Sequence, residues 1–222
     1  MDRIAVLASG GLDSAVLLAD LASNDTVFPI YVETGLAWEA LEKRALLSFL
    51  AALELSNLQP LTVLEIPVGG IYGRHWSTSA QEVPDYEAPD SAVYLPGRNV
   101  ILIGLAAVWC SLHDVGTIAI GSLDDNPFPD ATPSFFEDYG RLLSTALLRD
   151  ISIIAPYRHQ HKSQLIQRFP ELPLELTLTC MAPVTLGTSV LHCGACNKCR
   201  ERHDAFIEAG VKDRTAYASA PA

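Results

Sequence analysis

Short apolar segments alternate with helix-like segments along most of this chain, and this alternation narrows the fold more than any other feature. The strand-like segments are 3–9, 26–34, 61–68, 117–123 and 151–157. The segments with helical spacing are 14–22, 37–53, 98–112, 133–148 and 161–169. Strands that are apolar throughout are typical of parallel sheets covered on both faces. The pattern therefore predicts an α/β fold with a parallel five-stranded sheet and helices on both faces.

Two stretches interrupt the alternation. Residues 69–97 combine Gly, Pro, Ser and aromatic residues without any period, which is typical of a lid or a partly disordered segment. Residues 180–203 contain most of the cysteines. We therefore expect a nucleotide-binding α/β domain over 1–175, with a lid-like loop at 69–97. A small C-terminal module over 176–222 would pack on the same domain, and its last residues, 215–222, would be frayed.

The composition excludes several classes of function. Apolar residues make up 49% of the chain and charged residues 18%, as in a globular protein. A net charge of −11 argues against a large nucleic acid partner, because phosphate contacts need clustered Lys and Arg. No apolar segment is long enough to span a bilayer, and the N-terminus lacks the pattern of a signal peptide. We expect a cytoplasmic protein with no membrane partner.

The first strand-like segment runs directly into Ser9-Gly10-Gly11-Leu12-Asp13-Ser14, where the first helix begins. Adjacent glycines allow the backbone amides to approach a ligand, and a helix N-terminus carries partial positive charge. Such a turn suits a phosphate, although the same six residues could also form a tight turn capped by Ser that binds no ligand. Neither G-x-x-x-x-G-K-[ST] nor G-x-G-x-x-G is present, which argues against an ordinary kinase or dinucleotide site.

Four of the five cysteines follow a C-x12-C-x2-C-x2-C pattern, namely Cys180, Cys193, Cys196 and Cys199. Four thiolates at this spacing suit a closed tetrahedral zinc site, which has no open position for chemistry. An iron–sulfur cluster or a redox pair are the alternatives. Cys110 lies in an apolar helix-like segment and is predicted to be a small core residue.

The SGGLDS turn resembles the pyrophosphate (PP) loop of the N-type ATP pyrophosphatases, which have an adenine nucleotide alpha hydrolase-like, Rossmann-like fold. Together with the cysteine pattern, the chain resembles the 7-cyano-7-deazaguanine synthase family of queuosine biosynthesis. Further matches to that family are LPGRNVILIGLAA (95–107), NPFPDATPSFF (126–136) and HKSQLI (161–166). The chain departs from the family at VETGLAWE (32–39), where the family has Y-G-Q-R-H, and at Ala131 and Thr132, where it has Cys and Arg.

The resemblance implies an ATP-dependent carbon–nitrogen ligase that joins 7-carboxy-7-deazaguanine and ammonia and dehydrates the amide to a nitrile. ATP, Mg²⁺ and Zn²⁺ would be its cofactors. Asp13, with Asp124 or Asp125, would hold Mg²⁺, and Lys162 would stabilise a phosphate or the acyl oxygen. Asp130 would bind the edge of the purine-like ring. The residues expected to bind nucleotide are Ser9, Gly10, Gly11, Leu12, Asp13, Ser14, Arg98, Asn99 and Gly121.

Purely structural roles stay open for several of these residues. Lys162 would also suit a solvated helix start, Asp130 a simple turn, and Asn99 a helix cap. Three other functions also stay open. They are an enzyme that stops at an amide or conjugates a related carboxylate, a tRNA-thiolating relative, and a zinc-stapled nucleotide-binding module. The nitrogen donor is open, and a homodimer is compatible with both the sequence and the resemblance.

Overall fold

Five parallel strands form the centre of the computed structural model, which describes residues 1–124 and 126–221. The strands are β1 (Arg3–Leu7), β2 (Thr26–Glu33), β3 (Thr62–Glu65), β4 (Thr117–Ile120) and β5 (Ser152–Ile154). Their order is β3-β2-β1-β4-β5, with every pairing parallel. The order reverses between β1 and β4, and in open sheets ligands bind at the carboxyl ends of the strands at such a point.

Helices connect the strands and cover the sheet. Within the described residues they are α1 (Leu12–Ala22), α2 (Glu39–Ala52), α3 (Gly69–Tyr72), α4 (Trp76–Ser79), α5 (Arg98–Leu112), α6 (Pro133–Leu147), α7 (Lys162–Arg168) and α8 (Asn197–Ala209). A small antiparallel hairpin pairs β6 (Val184–Leu186) with β7 (Ser189–Leu191). No helix in the described part of the chain is long and apolar enough to cross a membrane.

The central strand β1 is buried on both faces, as its apolar sequence predicts. Ile4 and Val6 belong to one core with residues of α1, α7 and α8. Ala5 and Leu7 belong to another with residues of α5 and α6. Cys110 is fully buried in this second core, which confirms its predicted role. Alternate residues of β1 thus pack against different sets of helices on the two sides of the sheet.

The predicted elements are all present, but with two systematic differences. The strand-like segments extend past the ends of the strands, because their last apolar residues enter loops at the carboxyl edge. β4 ends at Ile120, for example, whereas the predicted segment continues to 123. Helix α8 was not predicted, because the spacing of the cysteines dominates the sequence signal there. Ala205 and Phe206 of this helix complete the core against α1 and α7.

Helix α2 buries charged residues as well as apolar ones. The sequence predicts an apolar face of Leu41, Ala45, Leu46 and Phe49, with charges on the opposite side. In the structure, Glu39 and Glu42 are buried together with Leu46 and Phe49. The prediction of a wholly apolar buried face is therefore wrong, since Glu42 of this face lines a cavity.

The two interrupting stretches pack against each other in a third core. Residues 69–97 form α3, α4 and a 3-10 turn, and contribute Val93 and Leu95 to this core, which also contains cysteines of the C-terminal stretch. The described part of the C-terminal tail is not frayed. The backbone of His192 pairs with Ala216 and Ala218, and Ser219 donates to the carbonyl of Cys193. These backbone pairings hold the tail on the cysteine loop.

Candidate active site and metal centre

A cavity of about 280 Å³ lies at the carboxyl edge of the sheet, beside the ends of β1, β2 and β4. The turns after β1, β2, β4 and β5 lie at this edge, and three of these four contribute to its wall: 9–14, 121–128 and the start of α7 at Lys162. The fourth turn, 33–37, instead supplies Thr34 and Leu36 to a small adjoining pocket. The reversal point of the sheet therefore provides one cavity, and the predicted glycine turn lies in its wall.

The glycine turn is held in shape by its own hydroxyl groups. The amide of Ser9 donates to Oγ of Ser14 at 3.1 Å, and Ser14 Oγ donates to the carbonyl of Gly11 at 3.1 Å. Gly11 is the N-cap of α1 and provides no side-chain cap. The alternative of a turn capped by Ser is therefore wrong, and the first amides of the helix keep their capacity to bind an anion.

Two glycines are required here by close approaches. Gly10 has a φ of +74°, and a Cβ added to it would lie 2.7 Å from the carbonyl oxygen of Glu42. A Cβ on Gly121 would lie 3.0 Å from the amide nitrogen of Ser14. Gly11, Asp13, Ser14, Ser9 and Gly121 all line the cavity. Gly10 and Leu12 lie outside this lining: the first allows α2 to pack on the loop, and the second is fully buried in the core.

Four charged side chains form a chain of ion pairs beside the loop. Lys162 Nζ lies 3.3 Å from Asp13 Oδ2 and also pairs with Glu201, which pairs in turn with Lys198. Burial opposes the charge on Lys162, but Asp13 and Glu201 outweigh it and raise the pKa of the ammonium group above its usual value. Lys162 is therefore a buried, permanently charged cation, not a solvated helix-start lysine.

The Asp13 carboxylate is only half satisfied. Its Oδ1 is buried and has no hydrogen-bond partner among the described residues. Burial raises the pKa of Asp13, and Lys162 counteracts this shift. A carboxylate oxygen without a partner, next to an anion-binding loop, fits a divalent cation. Asp124 lies outside the lining of the cavity, and Asp125 lies outside the described residues.

Residues at the start of α5 line the cavity, and a neighbouring residue supports them from outside it. Arg98 and Asn99 both line the cavity. Asp130 is buried behind them, and its Oδ2 accepts a hydrogen bond from the amide of Asn99 at 3.0 Å. The N-cap position belongs to Gly97, so Asn99 is not the cap. Asp130 thus caps α5 from a neighbouring turn, and its predicted contact with the ring stays a prediction.

The two positions that depart from the family pattern next to Asp130 have local structural roles. Ala131 is buried in the core beneath α5 and α6. Thr132 is the N-cap of α6, with its side chain accepting from the amide of Phe135 at 3.2 Å. Neither lines the cavity, whereas Asn126 and Phe128 of the same turn do.

The four predicted ligands converge into one metal centre of tetrahedral size. The Sγ atoms of Cys180 and Cys196 are 3.9 Å apart, those of Cys193 and Cys199 3.8 Å, and those of Cys196 and Cys199 3.6 Å. Four sulfurs at about 2.3 Å from a zinc ion would be separated by roughly 3.8 Å. All four cysteines are free thiols. The residues therefore fit zinc, and the expected ligand set is confirmed as a cluster that can hold a metal.

This centre also fixes two other parts of the site. Asn197 Nδ2 donates to the carbonyl of Ala88 at 2.7 Å, and Arg200 donates to the carbonyls of Tyr86 and Ala88. Lys198, between the third and fourth cysteines, lines the cavity together with Glu201. The cysteine loop thus ties the segment 84–90 to α8 and places two charged groups in the cavity.

Sequence reasoning missed several cavity residues, among them Trp38, Glu42, Trp76, Ser122, Lys198 and Glu201. Burial raises the pKa of Glu42 to about 7, against the opposing effect of Arg98. Ser122 Oγ is buried without a partner among the described residues. Ser122 follows β4 directly, which is a signal that could have identified it. The others come from helix faces or from the aperiodic segment, where the sequence offers no comparable signal.

The chain matches known proteins over nearly its whole length. The family model described as queuosine biosynthesis protein QueC matches residues 3–210. A 7-cyano-7-deazaguanine synthase from Alcanivorax borkumensis is 32% identical over 232 residues, with 98% of this chain and 100% of that protein covered. One from Methanocaldococcus jannaschii is 29% identical over 236 residues, with 98% and 99% covered. A solved structure from the latter organism, named as a predicted subunit of tRNA methyltransferase, has a TM-score of 0.46 at 16% identity and covers 96% of this chain and 90% of that chain.

Proposed function

The chain belongs to the queuosine biosynthesis protein QueC family, and from this premise we propose that it is an ATP-dependent carbon–nitrogen ligase. Its product is 7-cyano-7-deazaguanine, the product in the names of its relatives. Its substrates would be 7-carboxy-7-deazaguanine, ammonia and ATP. The observation that carries the proposal is that the uncapped glycine turn lies beside buried Lys162. Both line one cavity, which also has walls formed by other side chains.

The reaction consists of two adenylations. A carboxylate oxygen attacks the α-phosphorus of ATP, and the bond to the β-phosphate oxygen breaks to release pyrophosphate. Ammonia then attacks the acyl carbon, AMP leaves, and a proton is lost to give the amide. A second ATP adenylates the amide oxygen, and loss of AMP and of the two amide protons leaves the nitrile. Each adenylation builds negative charge on the leaving pyrophosphate, so positioned donors and cations stabilise its transition state.

The residues of this chain would divide these tasks by location. The turn from Ser9 to Ser14 would hold the leaving pyrophosphate with its amides and hydroxyls. Lys162 would lie beside the attacked phosphorus, where its fixed charge offsets charge on the phosphoryl oxygens. The apolar wall formed by Leu7, Val32, Leu102 and Ile120 is suited to the adenine ring. Exclusion of water by the segment 69–97 would protect the acyl-adenylate from hydrolysis.

Two metals would have distinct roles. Asp13, with its unpartnered Oδ1, would hold Mg²⁺, which supplies neutralisation of phosphate charge when bound. The four cysteines would hold Zn²⁺ in a closed site that supplies folding energy and no chemistry. The positions of Asn197, Lys198 and Glu201 would then depend on the zinc, because they lie on the helix that begins at the third ligand.

The test is turnover of defined substrates. The purified protein is incubated with ATP, Mg²⁺, ammonium and 7-carboxy-7-deazaguanine, and the products are identified by mass spectrometry. We expect nitrile and two AMP per nitrile. Amide as the final product would contradict the second half of the proposal, and absence of AMP would overturn it entirely. A Gly121→Ala variant, which would crowd the amide of Ser14, is expected to lose AMP formation.

A further inference from the structure

One part of the cavity wall has no role in the mechanism above. It consists of Trp38, Glu42 and Trp76, which we call the ring wall. The indoles of Trp38 and Trp76 are stacked, with centroids 5.7 Å apart and planes 14° apart. Val93 and Leu95 line the cavity beside them. A broad aromatic and apolar surface of this kind favours a flat heteroaromatic ring, which packs on it through its π face.

Glu42 places an acid next to these indoles. The residue is only 7% exposed, and its Oε2 accepts from the hydroxyl of Tyr31 at 2.9 Å. The indole of Trp38 also lowers the pKa of this carboxylate. An ionised carboxylate has about four acceptor positions, so the Tyr31 hydroxyl and the Trp38 indole together leave capacity for two more. A buried acid with spare acceptor capacity at a cavity surface matches a ligand that presents two adjacent N–H donors.

Arg98 supplies the complementary feature. Its guanidinium interacts electrostatically with Glu42, and its Nε–H is buried without a partner among the described residues. An acceptor and an unsatisfied donor therefore line the same cavity. The edge of a deazaguanine ring carries N1–H and a 2-amino group as donors, with a carbonyl oxygen beside them as acceptor. The adenine edge places an acceptor nitrogen next to its amino group, which a carboxylate would repel.

We propose that Glu42 determines specificity for the deazaguanine ring by accepting hydrogen bonds from its N1–H and 2-amino groups, with the ring packed against Trp38 and Trp76. The inference rests on the proposed function and assigns the ring of its acyl substrate to one part of the cavity. The ring wall would then hold the substrate from the side of α2, while the glycine turn holds ATP. Glu42 packs on Gly10 of that turn, so the two subsites are adjacent.

The test compares two substrates that differ in one group. One is 7-carboxy-7-deazaguanine, and the other is the same ring without its 2-amino group. We expect wild-type kcat/KM for AMP release to favour the amino-bearing ring by about 100-fold, because the analogue leaves a buried acceptor unpaired. Glu42→Gln should reduce this ratio to below about 10 while leaving KM for ATP within about twofold. An active Glu42→Gln variant that keeps the wild-type ratio would overturn the inference and leave the proposed function intact.

Glu39→Gln is the matched control. Glu39 is also a buried acid of α2, but its carboxylate accepts from the amides of Thr34 and Gly35 and does not line the cavity. We expect this variant to lose stability and to keep the substrate ratio. If Glu39→Gln reduced the ratio of kcat/KM between the two substrates as much as Glu42→Gln does, the effect would be structural. That result would also overturn the inference.

Binding provides a measurement that does not depend on turnover. In a Trp109→Phe background, Trp38 and Trp76 are the two remaining tryptophans of the chain. Trp109 stacks on His113, contacts Phe28 with a tilted ring, and does not line the cavity. We expect 7-deazaguanine to quench this fluorescence, and Glu42→Gln to weaken its binding by about tenfold. If the wild type releases no AMP, the proposed function fails, and this measurement still decides the subsite: equal binding by both proteins would refute it.

Discussion

The two ends of the cavity are constructed in opposite ways. The phosphate end, Ser9 to Ser14 with Gly121 and Lys162, comes from turns at the carboxyl edge of a parallel sheet. The ring wall comes from the start of α2 and from α4, and its indoles pack in one core with cysteines of the C-terminal stretch. The first end is a consequence of sheet topology, and the second depends on long-range contacts. One site therefore combines residues positioned by the sheet with residues positioned by long-range packing. Substitutions can test the two groups of residues separately.

The largest effect is expected from loss of a metal ligand. Cys196→Ser should reduce bound zinc to well below one per chain and lower the melting temperature sharply, because metal binding at such centres contributes on the order of 10 kcal/mol to folding. Metal analysis and thermal unfolding measure both. Cys110→Ala is the control, since Cys110 is a core thiol on α5 and its variant should keep one zinc per chain. A folded Cys196→Ser protein with full zinc would contradict a four-thiolate centre.

The next effect concerns the phosphate end. Lys162→Gln should lower kcat for AMP release by about 10²- to 10³-fold, because the proposed function puts this buried charge beside the transferred adenylyl group. Lys198→Gln is the comparison within the same ion-pair chain. Its side chain is 29% exposed, and it pairs with Glu201 and not with Asp13. We expect a loss of about tenfold or less there. Equal losses in the two variants would mean that the chain of ion pairs acts only as a unit.

A third prediction addresses the tie between the cysteine loop and the segment 84–90. Asn197→Ala removes the bonds to Ala88 and Asp90, and should raise KM for the carboxylate by about tenfold without changing KM for ATP. Hydrogen exchange of 84–93 should accelerate. Asn57→Ala is the control, because Asn57 also donates to a backbone carbonyl, that of Ala22, outside the cavity lining. A parallel rise of both KM values in Asn197→Ala would refute a selective role.

The smallest effect is a pH dependence of stability at the boundary of the two ends. The pKa of Glu42 is raised from 4.5 to about 7, first by burial and also by Glu39, while Arg98, Tyr31 and Trp38 oppose the shift. An acid with a raised folded pKa stabilises the fold when protonated. The contribution is therefore complete below a pH of 4.5 and is lost as pH rises through about 7.

Glu42→Gln removes this titration. The melting temperature of the variant minus that of the wild type should be more positive at about pH 8 than at about pH 5, by roughly 4 °C. Differential scanning calorimetry at the two pH values measures the difference. A difference that is constant with pH would show that Glu42 titrates in the folded protein as it does in the unfolded chain.

The contrast between local sheet topology and long-range packing also explains what the sequence could predict. The sheet, its helices and the glycine turn were predicted because each depends on local periodicity or on a short motif. The metal ligands were predicted because C-x2-C spacing fixes two sulfurs near each other. The site residues predicted from the resemblance mostly line the cavity, but Leu12, Gly10 and Asp130 support it from behind.

Other residues could not be predicted for physical reasons. Glu42 looks like a charge on the exposed side of an amphipathic helix, and only the cavity beside α2 explains its burial. The tail from Thr215 looks frayed in sequence, yet its backbone pairs with His192, which is remote in sequence. Tertiary packing determines such positions, and it leaves no periodic sequence pattern from which they could be predicted.

The tie between Asn197 and the segment 84–90 has a consequence for the order of synthesis. Its two hydrogen bonds join residues 107 and 109 positions apart, and those from Arg200 to Tyr86 and Ala88 span 114 and 112. Contacts this distant form only after the intervening chain is available. On the ribosome, all five strands and the glycine turn emerge before α8 does. The segment 84–90 can therefore be fixed by α8 only after the sheet and the glycine turn have been synthesised.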